Sequence, residues 1–467
     1  MRAFLLDLWS HRGFRYSFIT VAVIAAFWFM LHLALNWSGE KRWQRIKAQL
    51  EAEGETFDFY SLYPPLIPDD QNFCTIEPLN GIRTPEGTSP EALAAQKKRD
   101  AIKAAAKILR PPDGTELYMA TSSNPFGTGA APDSEMVLKQ VRRRKLLQMS
   151  GDQDSWPELL QALEAAYPIL PLCCHAAEER RYAEFLPRLK REEHPANLQS
   201  WKQPHFTVVM ELLQLMRLYH LVCLRSGNLD QAARCVLVGL RLGSAVQFEP
   251  MMLSSLAGAV TEGSAYSWLW CLLKERSTSD SHLKRFTDEL RGVSTLNNHR
   301  RAYRGELCSI VSAIEVHESD PAQRWDFARW VISGELMPSA STTNAELSKL
   351  VPDGLLKHWK AAYVELCWSG ILQPLKQNGF HGAYDRIGLF ESTLEARVGW
   401  QDFDVAYARL ILTPCDSITR MAVYGENSAS RPSSPAPWSG TSSGMAAIRP
   451  LWKPSILSFV GRTISST

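Results

Sequence analysis

The sequence predicts an all-α protein, an N-terminal transmembrane helix followed by an irregular array of antiparallel helical hairpins, and three observations predict it. The first is a run without formal charge from Ser17 to Trp37, which at about 1.5 Å per helical residue spans roughly 30 Å, the thickness of a bilayer's hydrocarbon core. The second is apolar residues at helical spacing through most of the chain beyond Asp133, interrupted only by short Pro, Gly and Ser clusters. The third is a pair of such runs joined by Gly227-Asn228, the composition of a tight turn between two helices. The 467 residues divide accordingly into a short N-terminal tail (1–16), the span (17–37), a juxtamembrane helix, strap and linker helix (38–132), a helical body (133–426) and a Ser/Pro/Gly-rich flexible tail (427–467).

The span is longer than the apolar region of a secretory signal and leads into Asn36-Trp37 rather than a small-residue cleavage site, so a retained anchor is expected. Tyr16, Trp37 and Trp43 suit the two interfaces. His32 is the one ionisable residue inside the run, close enough to its far end to tilt toward the interface. Local charge does not fix the orientation: Arg2, Arg12 and Arg15 precede the span while Lys41, Arg42, Arg45 and Lys47 follow it.

Past the span, "EKRWQRIKAQLEAEGE" continues in helix formers to Gly54 and is expected to project beyond the membrane surface. The segment Phe57 to Cys74, "FDFYSLYPPLIPDDQNFC", cannot be a continuous helix, because Pro64, Pro65 and Pro68 interrupt it. It reads as an extended strap whose aromatic residues pack on the helical body. Asp69 and Asp70 suggest either a cap for the next turn or, as a paired carboxylate, a cation contact; the cap is the simpler expectation. Ser89 to Leu109 is expected to be a helix, with Ser89 opening a capping box, Pro90 in the first turn and Ala-rich formers behind. Arg110 to Asp133 is the clearest internal loop. Breaks are expected at Gly151, Pro168 to Pro171, His194 to Pro204, Ser277 to Asp280 and Met337 to Thr343.

The best-patterned unit places Leu212, Leu213, Met216, Tyr219, His220 and Cys223 on one helix, turns at Gly227-Asn228, and lines the returning helix with Ala232, Val236, Leu237 and Leu240. It resembles one tetratricopeptide-type unit, with Gly227, Leu229 and Ala232 at the turn and small-residue positions. His220 stands where a small residue is usual, no Pro follows the second helix, and no second copy occurs at a period of about 34 residues, so a repeat array is not expected.

With 51 basic against 49 acidic side chains and 45% hydrophobic residues, neither global disorder nor a strongly basic nucleic-acid binder is indicated. The run Arg142-Arg143-Arg144-Lys145 suits phosphate or anionic lipid, or simply a solvated helix face. The nine cysteines form no CxxC pair and no zinc-type spacing. Most sit in apolar helical stretches such as "LYHLVCLRSG", where free Cys behaves as a small buried hydrophobe.

No GxSxG, HExxH, Walker-type or dinucleotide-binding motif is present, and no catalytic, cofactor-binding or metal-binding residue is assigned. Two constellations merit weighing. On a helix, His175 would share a face with Glu179 and Cys174 with Glu178, a metal-ligand spacing that needs further ligands from the fold. His299, Arg300, Arg301, Arg304 and Glu306 in "NNHRRAYRGE" suit an anionic ligand or acid/base chemistry, with a polar helix face exchanging salt bridges as the simpler reading.

The span, the strap "PPLIPDDQNF" (Pro64 to Phe73) and "VGLRLGSAVQFEPMMLSSLAGAV" (Val238 to Val260), a helix, Gln-Phe-Glu-Pro corner and second helix, together resemble a group of membrane-anchored proteins of planctomycete and verrucomicrobial-type bacteria. The resemblance runs from the span to about residue 310 and departs at the C-terminal tail. It implies a single-pass anchor in the bacterial inner membrane and an extracytoplasmic, periplasmic helical body, and it carries no activity. The expected partners are membrane lipid through the span and a protein held by the body. The function expected is an interaction or scaffold module of the cell envelope; the alternative is an envelope-associated hydrolase with a site assembled only in three dimensions.

Overall fold

The computed structural model describes residues 12–77, 79–83, 88–106, 155–185, 205–275, 278–292, 295–320, 324–325, 327–328, 331 and 351–396. The described residues are mostly helical and contain no strand; a single parallel bridge joins Asn72 to Tyr182. The basic run at Arg142, the loop at Arg110, the breaks at Gly151, His194 and Met337, Cys415 and the tail 427–467 lie outside the described residues.

Helix α1 (Arg12–Ala52) is one unbroken helix that includes both the apolar run from Ser17 to Trp37 and the charged segment that follows it. It ends at Gly54, whose φ of 84° reverses the chain. Its first half is bare, with large apolar side chains exposed from Tyr16 to Leu33. Its second half does not project freely as the sequence suggests. Trp43, Ile46 and Leu50 are buried in a core shared with the C-terminal helices.

The strap packs as expected. Phe59 and Leu62 lie in a 3-10 turn against Cys308, and Phe73 and Cys74 are fully buried. The caps differ from the expectation. Asn72, not Asp69 or Asp70, caps the turn Phe73–Thr75 by accepting from the Cys74 N–H, and both aspartates are exposed. A short helix, α2 (Asn80–Arg83), precedes α3 (Pro90–Ala106). Ser89 Oγ accepts from the Ala92 N–H at 3.1 Å. Ala92 occupies the position where a capping box needs Glu or Gln, so the reciprocal bond is absent there.

Helix α4 (Trp156–Ala166) is capped by Ser155. The break expected at Pro168 to Pro171 is present but shorter: the chain leaves α4 at Tyr167-Pro168 and re-enters a helix, α5 (Ile169–Glu179), with Pro168 at its cap and Pro171 in its first turn, where a missing N–H costs no helical hydrogen bond. α6 (His205–Arg225) and α7 (Leu229–Gln247) meet as the pattern predicts, through Gly227 at φ 79° and an Asn228 cap that accepts from the Gln231 N–H. Every apolar position named for this pair is buried except the half-buried Leu229, and α7 returns along α6 with Gln231 donating to the Tyr219 hydroxyl at 3.0 Å. α6 is also long and apolar enough to cross a membrane, but 72% of its most apolar stretch is buried, which makes it a core helix.

α8 (Met252–Lys274), α9 (Asp280–Gly292), α10 (Thr295–Ser319) and α11 (Asp353–Cys367) follow. α11 runs through a π turn, Trp368–Leu372, into α12 (Gln373–Ala396). Phe390 lies against Gly370, which a straight helix would hold about 30 Å away, so the chain folds back between them. One core gathers the strap's Phe73 with α3 to α9, and a second gathers the lower half of α1 with α10 to α12. α8 joins the two, giving Met252 to the second and Trp268 to the first.

Candidate functional site

The sequence candidates do not converge. On α5, Cys174 points into the core, with its Sγ 3.6 Å from Cys235 Sγ, while His175 and Glu179 form an exposed pair at 3.4 Å. Glu178 instead binds Arg234 at 2.9 Å and Arg285 at 3.3 Å. Arg285 also donates to the carbonyls of Ala177 and Glu178, and Arg241 to that of Arg180, so two arginines satisfy the open end of α5. Among the described residues no three His, Cys, Asp or Glu side chains gather as metal ligands. The eight described cysteines are free thiols.

The residues from His299 to Glu306 spread around α10 and bind different neighbours. His299 is fully buried with Nδ1 3.2 Å from Ser255 Oγ, and burial pushes its pKa down to about 3, so the ring is neutral. Arg301 donates to the Gln247 carbonyl at 3.0 Å, and Arg304 pairs with Glu55 at 2.6 Å. Burial raises the Glu306 carboxyl, opposed by a backbone hydrogen bond from Met252 at the start of α8.

The contacts of His299, Arg301 and Glu306 belong to a polar seam around the Gln247-Phe248-Glu249-Pro250 corner, whereas the Arg304–Glu55 pair lies apart from it, half-buried beside Leu50 and Trp368. Glu249 binds His205 at 2.6 Å and accepts from Ser254 at 2.8 Å, all three enclosed. Asn298 donates to Gln247 Oε1 at 2.7 Å. Gly305 lets α10 approach closely, since a Cβ there would fall 1.6 Å from the Pro250 carbonyl oxygen. Glu262 is buried beside Gln247 and Tyr266, and burial raises its pKa to about 7. The seam contains a Ser–His contact, but Ser255 and His299 are shut away from solvent, so it holds α8 to α10 rather than presenting a nucleophile. A crevice between Leu50, Phe57, Arg304, Trp368 and Leu372 has room for about one water. It takes in Arg304 but not His175, Glu179 or His299.

The joint between α1 and α11 is the feature that sequence reasoning missed. The two helices run in the same direction: Asn36 Oδ1 accepts from the Gly354 N–H at 2.8 Å, Lys357 binds Glu40 at 2.5 Å, Arg42 binds Glu365 at 3.1 Å, and Lys376 donates to the Glu53 carbonyl at 3.5 Å. The Lys357 ammonium holds the Glu40 carboxyl below its ordinary value, and Glu40 in turn raises Lys357. Ser38 Oγ lies 2.9 Å from His358 Nε2. Deeper in, Lys360 is almost fully buried, its Nζ 4.4 Å from the Trp43 ring centre and 3.0 Å from Glu318. A buried cation is tolerated there because an aromatic face and carboxylates replace its water. The only sequence signals were Gly39, Asn36 and Trp43 on a helix otherwise read as lipid-facing or solvated.

Compared with known proteins, the chain matches no family model, no curated protein and no solved structure.

Proposed function

We propose that this chain is a single-pass protein of the bacterial inner membrane whose helical body stands on the periplasmic side and serves as an interaction or scaffold module of the cell envelope. One observation carries the reading: α1 is bare and apolar over its first half and built into the body over its second. Exposing so many large apolar side chains to water is costly, whereas lipid accommodates them. The body is read as an irregular array of antiparallel helical hairpins, of which α6 and α7 are the best-formed pair, with grooves between helices for a peptide or partner helix. Its enclosed polar groups act as joints, which favours a binding body over the hydrolase.

The periplasmic side follows from the resemblance to membrane-anchored bacterial proteins. A body in the cytoplasm is favoured by the thiols, since Cys174 and Cys235 lie in contact yet unbridged. The deciding experiment is membrane fractionation followed by labelling of a C-terminal single-cysteine tag with a membrane-impermeant maleimide, in a background that controls for native thiols. Labelling of intact cells supports the periplasmic body. Labelling only after the membrane is breached reverses the orientation, and recovery in the soluble fraction removes the anchor.

A further inference from the structure

From Arg15, the last charge before the apolar run, to Leu35, α1 rises roughly 30 Å at about 1.5 Å per residue, which uses up the hydrocarbon thickness of a bilayer. The body begins at that height. A Cβ on Gly354 would lie 2.0 Å from the Leu35 carbonyl oxygen, and the Gly354 N–H is bonded to Asn36. No stalk therefore separates span and body. We infer that the first turn of α11 rests on the bilayer itself, with Trp37, Lys41, Asp353, Leu355 and Lys357 forming a surface that docks against phospholipid headgroups.

The chemistry of this rim fits that partner. Trp37 is 68% exposed, with the Lys41 ammonium 5.0 Å from its ring centre, an amphipathic pair suited to the headgroup layer. Leu355 is half-buried beside the charged Asp353 and Lys357, which pair with Arg324 and Glu40. Paired charges at this level place no bare ion against the core. Because α1 and α11 run in the same direction, each later turn of α11 stands farther from the lipid. Ser369, exposed and roughly 20 Å along the helix from Leu355, is well clear of it.

The inference rests on the reading of α1 as a membrane span, and the test separates the two. The photoreactive residue p-benzoylphenylalanine is placed singly at Phe27, Leu355 or Ser369 of the full-length protein. Each variant is reconstituted in phosphatidylethanolamine/phosphatidylglycerol vesicles and irradiated, and lipid adducts are read by mass spectrometry. A fourth variant, at the partly exposed Trp325 next to Arg324, covers the case in which position 355 does not accept the group. Adducts at 27 and at 355 or 325, with at least tenfold less at 369, are expected. Adducts at 27 alone overturn the docked rim while leaving the span intact. Adducts at none of the positions overturn the span, and the rim with it.

Discussion

Gly39 and Gly354 meet backbone to backbone: a Cβ on Gly39 would fall 2.2 Å from the Gly354 carbonyl oxygen. Such an approach admits no side chain on either helix. Gly39→Ala and Gly354→Ala should each lower stability by on the order of 3 kcal/mol, because the clash is with backbone and neither helix can yield. Gly13→Ala, at a position with nothing within 4 Å, should be neutral or slightly stabilising. Thermal unfolding of the three variants in detergent checks this; a Gly354→Ala protein as stable as wild type would mean the two helices are not in contact.

Asn72 holds the strap to the exit of α5. It is fully buried, accepts from the N–H groups of Cys74 and Glu184 at 3.0 Å, and donates to the Glu184 carbonyl at 3.1 Å. Asn72→Ala strands three backbone groups and should cost on the order of 3 kcal/mol. Limited proteolysis should then cut first in the strap, whereas Asp70→Ala, at an exposed side chain, should leave the digestion pattern unchanged.

Glu262 makes stability depend on pH in a defined direction. Burial raises its carboxyl from 4.5 to about 7, so between those values the folded protein binds the proton that the unfolded chain has lost. Its contribution is therefore fully present below about pH 4.5 and is lost as pH rises through about 7. Glu262→Gln removes this loss. The variant should match wild type near pH 4.5 and be more stable at pH 8, by up to about 3 kcal/mol at about 1.4 kcal/mol per pH unit. Denaturant unfolding at the two pH values measures the difference.

Thiol reactivity should follow burial. Seven of the eight described cysteines are buried and Cys271 is partly open. Burial raises the Cys271 thiol as well as those of Cys173 and Cys235, and pushes Cys308 up to about 12, so access to the reagent sets the order. Under native conditions a small disulfide reagent should modify Cys271 at least tenfold faster than the other seven, all of which should react once the protein is unfolded. Peptide mapping after a brief exposure reads the order.

What the sequence disclosed and what it withheld divide along contact range. Gly227, Asn228, Ser89 and the apolar positions of α6 and α7 carry their meaning within a few neighbours, and all sit where local rules put them. Pro171 misled because the same residue breaks a helix interior and opens a helix start. Asn72 was hidden behind the more conspicuous Asp69 and Asp70, since its partner Glu184 lies 112 residues away. The α1 joint was hidden for the same reason: Asn36 and Gly354 are 318 residues apart. The residues from His299 to Glu306 were rightly seen as polar on a helix. Their dispersal among Ser255, Gln247 and Glu55 follows from the packing of three separate elements, which no spacing along α10 encodes.

The unbroken course of α1 has a mechanical consequence. Its 41 residues make a rod about 60 Å long, half of it grafted into the body, and the rod contains no flexible link. In a bilayer, such a helix answers a change in thickness by leaning. A lean of about 20° would carry the far end of the rod roughly 20 Å sideways, and the body would move with it. On the proposed reading of α1 as a span, the protein would behave as a lever whose fulcrum is the membrane, with the posture of its body set by the thickness of the surrounding lipid.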